Sequence, residues 1–432
     1  MVSLPRSLVV NFNSPELGQL ARALAARGAL TRYVRPYTNK DRAWERALSA
    51  LPLVGDAYAG TFGRRRLEDP ALAALTNEAG VAADVAAAAL GRLSLLPSEF
   101  RAQHCHRLQE SVRLAVARAG ARVAGGADCA VAYVGCGLPA FKALRTRGKT
   151  RAVLNYPIAH HRYHRALQRE EHERDPELAV TWPTLAEWSE AYERQIDAEI
   201  EMADCILVGS TYVRDTFVSE GVPASRIAIA PYGVDLRTFG PAAERETRGN
   251  ARFRAIFVGQ LSQRKGIRYL LNAYRDFRKP DTELTLVGNA VNSDAPLRAY
   301  ADLFRHVPHQ TRAALAQRYR ESDVFVFPTL LEGMPLVVLE AMACGLPVIV
   351  TPNGPGDIVR DGVDGFIVPA RDEAAIRDRL ERLYADPDLR AQMGRNASGR
   401  ARDFTWAAYT RRVIDVLARL ADPCGVPHAV SH

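Results

Sequence analysis

Two carboxylates eight residues apart mark the most distinctive stretch of the sequence, residues 324–351. Val324–Phe327 is a short apolar run typical of a strand, and the polar loop after it contains Glu332. Pro335 is placed at the first position of a helix whose second turn contains Glu340. A helix N-terminus favours an anion, and carboxylates beside it are suited to accept hydrogen bonds from hydroxyl groups. The arrangement predicts a site for a phosphate with sugars beside it, as in a nucleotide-sugar.

The elements around these carboxylates form a strand–loop–helix–strand unit. Apolar residues recur at helical spacing after Pro335, Gly345 is placed to end the helix in the left-handed conformation, and residues 347–351 form a second apolar strand. This order predicts a parallel sheet covered by helices. Taken alone, Glu340 fits a solvated helix position, whereas its apolar neighbours favour an enclosed face.

Residues 332–336 followed by residues 340–348 resemble the paired-glutamate signature of retaining GT-B glycosyltransferases, specifically glycosyltransferase family 4. The resemblance is dense over residues 200–410 and loose over the first 165. It implies an α/β protein with two doubly wound, Rossmann-like domains that face each other across a cleft. The implied limits are residues 1–235 for the acceptor-side domain, 236–405 for the donor-binding domain, and 406–432 for a terminal helix that crosses back to the first domain.

The resemblance also assigns roles around the two glutamates. Glu332 and the backbone of the following residues orient the donor sugar, and Glu340 holds the ribose hydroxyls. The helix N-terminus stabilises the departing diphosphate. The donor-binding residues implied at this helix are Gly333, Met334, Pro335 and Leu336.

A second strand-to-helix loop carries positive charge. Lys265 precedes a predicted helix over residues 267–277, and a lysine is a suitable point charge for phosphate. The resemblance implies an arginine after the strand glycine, Gly259, and a lysine five residues later. Gln260 stands at the arginine position, so Arg264 is the candidate for the second cation. In the same domain, Gly288 ends a predicted strand, and the backbone of Val307 is expected to meet the nucleobase.

Two loops of the first half of the chain complete the candidate site. Residues 157–165 follow a predicted strand, and ligands gather at the carboxyl ends of parallel strands. The family commonly places a histidine near the donor sugar in such a loop. His160 and His161 are the candidates, ahead of His164, with a surface histidine cluster as an equal alternative. After the first strand, Gly18 is the one glycine available where the family commonly has a pair.

Charge is distributed unevenly along the chain. Residues 1–165 hold 24 Lys and Arg against 11 Asp and Glu, whereas residues 166–235 hold 5 against 15. A basic first third suits an anionic membrane or a phosphorylated acceptor, and a solvated face is the alternative. The acidic residues of 170–175 are interpreted as a solvated helix face. No nucleic-acid-binding motif accompanies the basic charge, so no nucleic-acid partner is expected.

Six cysteines without paired spacing favour a reducing compartment. The apolar run at the N-terminus is too short for a signal peptide, and residues 71–96 are interrupted by charges. The sequence therefore predicts a cytoplasmic protein, with peripheral contact at the inner membrane face as an open alternative.

The resemblance implies transfer of a sugar, with retention of anomeric configuration, from a UDP- or GDP-sugar to a glycan, lipid-linked or small-molecule acceptor. Such a reaction passes through an oxocarbenium-like sugar while negative charge builds on the diphosphate. Lys265, Arg264 and the helix N-terminus would stabilise that charge in place of a metal ion, so no cofactor is expected. Asp386 and Asp388 formally make a DxD triplet, which we interpret as a helix-start turn and not as a metal site.

Two other functions remain open at this point. A nucleotide-sugar 2-epimerase shares the two-domain architecture and needs no separate acceptor. A non-catalytic subunit that binds a nucleotide-sugar is consistent with Gln260 at the arginine position. The paired-glutamate spacing favours the transferase.

Overall fold

The computed structural model describes residues 4–50, 58, 62, 65–91, 98–146, 151–182, 189–241 and 252–421. These residues group into two compact units. The first contains the described parts of residues 1–156, 188–207 and 410–432, and the second contains those of 157–187 and 208–409. The predicted domain limits at residues 235 and 405 stay predictions.

The strands are short and consist mainly of buried apolar residues. In chain order they are β1 (Ser7–Val10), β2 (Leu30–Arg35), β3 (Thr76–Glu78), β4 (Cys129–Tyr133), β5 (Arg151–Asn155), β6 (Cys205–Val208), β7 (Ile227–Ile229), β8 (Phe253–Val258), β9 (Thr282–Val287), β10 (Arg305–Val307), β11 (Val324–Phe327), β12 (Val348–Val350) and β13 (Gly365–Ile367).

The helices alternate with these strands along most of the chain. They are α1 (Pro15–Ala25), α2 (Ala43–Ser49), α3 (Pro70–Leu75), α4 (Val81–Leu90), α5 (Ser98–Val123), α6 (Leu138–Arg145), α7 (His161–Arg174), α8 (Pro176–Ala179), α9 (Glu190–Met202), α10 (Thr211–Ser219), α11 (Ile267–Phe277), α12 (Arg312–Arg320), α13 (Leu336–Ala343), α14 (Glu373–Ala385), α15 (Pro387–Ala401) and α16 (Trp406–Ala421).

The strands form two sheets. The first has the order β3-β2-β1-β4-β5-β6-β7, and the second has the order β10-β9-β8-β11-β12-β13. The pairings from β3 to β6 and throughout the second sheet are parallel. The central strands β1 and β11 are buried at every residue, as expected for parallel strands covered on both faces. The two sheets confirm the predicted α/β class with two doubly wound, Rossmann-like halves.

Some of the local structure predicted for the second sheet agrees with the observed structure, and some does not. Helix α11 has the bounds predicted for it, and Gly345 ends α13 with φ 84°. Pro335 is the residue before α13 and has an extended backbone, so its predicted position inside the helix was wrong. Asp386 caps α15, because its Oδ1 accepts from the Leu389 amide at 2.8 Å. The interpretation of its triplet as a helix-start turn is therefore confirmed.

One glycine fixes how two loops of the second sheet meet. Gly266 begins α11 with φ 71°, and a Cβ built on it would lie 1.9 Å from the carbonyl oxygen of Pro328, which follows β11. No side chain fits there, since real Cβ atoms do not approach backbone atoms so closely. The loops after β8 and β11 are therefore in direct backbone contact.

This contact gives a stability prediction. We expect Gly266→Ala to lower the free energy of unfolding more than Gly362→Ala, because Gly362 has a similar φ of 72° but no atom within 4 Å of its added Cβ. The left-handed conformation alone costs an alanine about 1–2 kcal/mol, and Gly266→Ala adds the clash with Pro328. Urea denaturation of both variants measures the difference. Equal losses would show that the backbone conformation alone explains the cost.

Candidate functional site

The candidate site of the second unit lies where two neighbouring strands end. Strands β8 and β11 pair in parallel, so the loops after them meet at the carboxyl edge of the sheet. The Arg264 carbonyl oxygen accepts a hydrogen bond from the Leu330 amide at 2.9 Å and another from the Thr329 hydroxyl at 3.1 Å. These bonds, with the close approach at Gly266, hold the loop after β8 against the loop after β11.

A group of three charged side chains, here called the charge cluster, connects these loops. Glu332 Oε1 accepts hydrogen bonds from both Arg264 Nη1 and Lys265 Nζ. Arg264 Nη1 also donates to the Leu331 carbonyl at 2.9 Å, and Lys265 Nζ lies 5.0 Å from the centre of the Phe327 ring. The charge cluster brings together three residues that the sequence predicted for one site.

Burial sets the protonation of the charge cluster. Burial, countered in part by Glu332, lowers the pKa of Lys265 to about 8. Burial alone would raise the pKa of Glu332, but the charges of Arg264 and Lys265 outweigh it and hold that pKa below its ordinary value. With all three side chains charged, the cluster carries one excess positive charge. It is therefore suited to bind an anion such as a phosphate.

The loop between β11 and α13 is positioned by contacts to its backbone. A Cβ on Gly333 would lie 1.6 Å from the Pro157 carbonyl oxygen, so only glycine fits at this position. The Gly333 carbonyl accepts from the Ser210 hydroxyl at 2.6 Å, and Met334 Sδ lies 2.9 Å from the Tyr232 amide nitrogen. The loop is therefore held rigidly at the N-terminus of α13, which begins at Leu336.

Glu340 lies half-buried in α13. Burial raises the pKa of its carboxyl group to about 7, although Arg312 and the Tyr319 hydroxyl partly oppose that shift. The partial burial favours the enclosed face over the solvated position that was its alternative. The predicted contact of Glu340 with ribose stays a prediction.

The remaining residues that were predicted to bind the donor surround the ends of β8, β9 and β10. A Cβ on Gly288 would lie 1.9 Å from the Gly259 carbonyl oxygen, so these two glycines are in close contact. The Gly288 amide donates to the carbonyl of Val307 at 2.9 Å, and Val307 is buried. Gln260 is exposed directly after Gly259. The structure thus gathers Gly259, Gly288 and Val307 at one edge of the sheet.

The three histidines near the start of α7 have different surroundings. His160 caps the helix, because its Nδ1 accepts from the Arg162 amide at 3.3 Å, and its ring packs against His161 with 4.4 Å between centroids. His164 Nε2 accepts from Trp182 Nε1 at 3.1 Å. All three are buried.

The pKa of His164 is affected by two residues of the charge cluster. Burial lowers its pKa to about 3, and Arg264 and Glu332 also act on that pKa. Burial likewise lowers the pKa of His160 to about 3, with His161 as the next cause. Both rings are therefore neutral at physiological pH. The sequence analysis ranked His164 after His160 and His161 as a candidate near the donor sugar. The sequence does not show that His160 caps the helix or that His164 accepts from Trp182.

A buried polar stripe follows one face of α7. It consists of His161, His164, Gln168 and Glu171, at the three- and four-residue spacing of one helix face. Glu171 is 0% exposed and accepts from Gln263 Nε2 at 2.9 Å, from the Tyr269 hydroxyl at 3.0 Å, and from Arg371 Nε. The interpretation of residues 170–175 as a solvated face was therefore wrong for Glu171. The signal that sequence reasoning missed is the stripe itself.

The contact with Gln263 connects α7 to the charge cluster. Gln263 immediately precedes Arg264 and is buried, and its amide donates to the Thr181 hydroxyl at 2.8 Å. The loop that carries both cations is thus held from two sides, by Glu171 and by Thr181. Neither residue was among the predicted site residues.

Gly18, the last predicted site residue, belongs to the first unit. It lies in the first turns of α1, and its amide is 3.4 Å from the Ser14 carbonyl oxygen. Its predicted role in donor binding stays a prediction.

Residues 252–386 match the protein-family model described as Glycosyl transferases group 1. This segment is a group 1 glycosyltransferase domain. It includes Arg264, Lys265, Glu332 and Glu340, and it confirms the family resemblance that was based on the paired glutamates.

Two curated relatives carry the same name. D-inositol 3-phosphate glycosyltransferase of Paenarthrobacter aurescens is 34% identical over 210 residues, which are 44% of this chain and 52% of the relative. The enzyme of that name from Frankia alni is 33% identical over 223 residues, 46% of this chain and 55% of the relative. The chain therefore spans about half the length of these relatives.

Solved structures resemble both units of the chain. Sucrose-phosphate synthase from Thermosynechococcus elongatus has a TM-score of 0.64 and 20% identity, covering 96% of this chain and 98% of its own. HepE from Anabaena, solved in complex with UDP-glucose, has a TM-score of 0.60 and 15% identity over 96% and 99% of the two chains. These likenesses confirm the GT-B fold around the glycosyltransferase domain.

Two further features concern the residues that the structure describes. None of their helices combines the length and the apolar character that crossing a bilayer requires. None of their His, Cys, Asp and Glu side chains are grouped in threes or more in a way that would hold a metal ion.

The stripe on α7 gives a second prediction. We expect Glu171→Gln to destabilise the second unit by about 3 kcal/mol, because Arg371 loses its fully buried charge partner. Glu170→Gln is the matched control, since the Glu170 carboxylate also pairs with Arg371, at 2.7 Å, but is 50% exposed. We expect that control to cost under about 1 kcal/mol. Chemical denaturation measures both variants, and a similar small loss in each would contradict the structural role of Glu171.

Proposed function

We propose that the protein is a glycosyltransferase that moves a sugar from a UDP- or GDP-sugar to a glycan, lipid-linked or small-molecule acceptor. The proposal includes retention of anomeric configuration and independence of metal ions. The observation that carries it is the charge cluster, in which two cations of the glycosyltransferase domain share one carboxylate at the carboxyl edge of the sheet.

The charge cluster suits the leaving group of this reaction. As the sugar–phosphate bond breaks, negative charge builds on the diphosphate, and fixed cations in a buried site stabilise it strongly. Lys265 and Arg264 are the cations that we assign to this task, with the N-terminus of α13 beside them. They supply the charge that a metal ion supplies in other transferases, so no metal cofactor is part of the proposal.

Glu332 has a second role in the proposed reaction. Its carboxylate balances one of the two positive charges of Arg264 and Lys265, and an incoming diphosphate would take over that position. Glu332 is then available to accept hydrogen bonds from the donor sugar. A carboxylate whose pKa is held low by two cations is a weak nucleophile. We therefore favour front-face attack, in which the leaving phosphate accepts the proton of the acceptor hydroxyl.

Two further points belong to the proposal. HepE was solved with UDP-glucose, which supports a nucleotide-sugar as donor for this chain as well. We place the reaction in the cytoplasm, with the basic first third of the chain as the part that would contact an anionic membrane. The lack of paired spacing among the cysteines of the sequence supports a reducing compartment.

The proposal predicts that one nucleoside diphosphate stabilises the protein. In a thermal-stability panel of UDP, GDP and ADP and their sugar conjugates, a ligand at 100 times its dissociation constant adds about 2.7 kcal/mol. Slow release of free sugar from the stabilising conjugate supports a transferase, whereas an isomerised donor would indicate an epimerase. Binding without any turnover in the presence or absence of acceptors would leave a binding subunit.

Glu340 provides the control for this panel. If it holds the ribose, Glu340→Ala lowers the affinity for the stabilising nucleoside diphosphate at least tenfold, the scale of one hydrogen bond to a charged group. The 2′,3′-dideoxy analogue lacks both ribose hydroxyls, so its affinity should be the same for the variant and the natural protein. An equal loss for both ligands would remove Glu340 from the ribose site.

Lys265 predicts a pH dependence of nucleotide binding. Since the pKa of Lys265 is about 8, its ammonium is present below pH 8 and is lost as the pH rises through that value. We expect the affinity for the nucleoside diphosphate to fall between pH 7.5 and pH 9. Lys265→Arg keeps its charge over this range and should give a flat profile. Calorimetric titration measures both, and the same fall in Lys265→Arg would assign the titration to another group.

A further inference from the structure

The first unit contains a concave site of its own, at the carboxyl ends of β1 and β2. This cavity, here called the arginine cavity, has a volume of about 410 Å³. Its lining includes four arginines and no acidic residue. The arginines are Arg22, Arg35, Arg65 and Arg66.

Two of the four arginines have carboxylate partners outside the lining. Arg65 pairs with Asp84, and Arg66 lies 3.5 Å from Asp41. Among the described residues, Arg22 and Arg35 make no ion pair, although Arg22 Nη1 donates to Gln19 at 3.2 Å. The arginine cavity therefore keeps two positive charges that the described carboxylates do not balance.

Two buried polar groups of the lining have no partner among the described residues. Arg35 Nε is buried without a hydrogen bond, and so is the hydroxyl oxygen of Ser14. Ser14 is 7% exposed and is the residue before α1, where its hydroxyl makes none of the usual capping bonds. Leaving such groups unsatisfied costs about 1–3 kcal/mol each. A ligand with several oxygen atoms would satisfy both.

The backbone and the hydroxyl groups around the arginine cavity are pre-arranged. Asn11 Oδ1 accepts from the Asn13 and Ser14 amides at 3.0 and 2.7 Å, which fixes the turn between β1 and α1. Asn11 Nδ2 donates to the Tyr33 hydroxyl at 2.8 Å. A Cβ on Gly18 would lie 3.5 Å from that hydroxyl, so Gly18 is in the immediate surroundings of Tyr33.

We propose that the arginine cavity binds a phosphate group carried by the acceptor. That the bound molecule is a sugar acceptor rests on the proposed function. Arginine presents planar pairs of donors that match phosphate oxygens, and two unbalanced cations match the charge of a phosphate monoester. The phosphate takes no part in the chemistry. In the proposed transfer an acceptor hydroxyl oxygen bonds to the anomeric carbon of the donor sugar, the bond to the diphosphate breaks, and the leaving phosphate takes the hydroxyl proton.

Two sources of phosphate share this chemistry, namely a soluble phosphorylated sugar or polyol and the headgroup of a phospholipid. The test uses the full chain with two probe pairs. Glycerol 3-phosphate is compared with glycerol by calorimetry, and vesicles of phosphatidylglycerol are compared with vesicles of phosphatidylcholine by co-sedimentation. The phosphate-bearing probe should bind more tightly in at least one pair, and the pair that discriminates identifies the source.

Single charge-removing variants locate the binding. Arg35→Gln and Arg22→Gln should each weaken the discriminating probe at least tenfold, the scale of one hydrogen bond between charged groups. Arg27→Gln is the matched control, since Arg27 is exposed just after α1 and does not line the arginine cavity, and its guanidinium donates to the Ala23 carbonyl at 2.8 Å. Its affinity should stay within about twofold, as expected for a screened surface charge. Thermal unfolding of each variant checks that it folds.

Two results would overturn the inference. One is an equal loss in Arg27→Gln, which would show attraction to net charge rather than to the cavity. The other is the absence of any preference for the phosphate-bearing probe in both pairs. The nucleotide panel is run on the same variants, where unchanged stabilisation is expected. If no nucleotide stabilises the protein but the phosphate-bearing probe is still preferred, the transferase proposal alone is wrong. If a nucleotide stabilises the protein but neither phosphate-bearing probe is preferred, this inference alone is wrong.

Discussion

The second unit depends on three charges held together away from bulk water. Glu332 accepts from both Arg264 and Lys265, and burial makes the arrangement costly unless each charge keeps a partner. This requirement explains the features around it. The two loops must touch, so Gly266 cannot carry a side chain, and the loop after β11 must lie against Pro157, so Gly333 cannot either. The site is therefore pre-organised by backbone contacts rather than by the charged side chains alone.

The buried stripe of α7 extends this arrangement beyond the sheet. Glu171 holds Gln263, and the next two residues of the chain are the cations of the charge cluster. His164 accepts a hydrogen bond from Trp182 and stays neutral, since a charged ring there would be opposed by both burial and Arg264. A polar helix face that would be a solvated surface in many proteins here supports the loop that carries Arg264 and Lys265.

The sequence predicted the parts of the site that depend on local pattern. Strand–loop–helix order and the turn at Gly345 follow from short-range spacing and from the geometry of parallel sheets. The convergence of Lys265 with Glu332 was implied by the family resemblance. The sequence did not predict strand β3, because Thr76–Glu78 has no apolar run and forms only by pairing with β2. It also missed Glu171, whose partners Gln263, Tyr269 and Arg371 are distant in the chain. The position of Pro335 shows that helix ends depend on backbone geometry that residue type does not determine.

The chain passes between the two compact units four times, at residues 156/157, 187/188, 207/208 and 409/410. The segment with α7 is therefore inserted, in chain order, among the strands of the first sheet, although it packs with the second. During synthesis Glu171 leaves the ribosome 92 residues before Gln263, its partner. The polar face of α7 must then remain without that partner until the loop after β8 has been made. The second unit can therefore be completed only late in synthesis. Neither unit corresponds to one continuous stretch that could be separated from the other by a single cut.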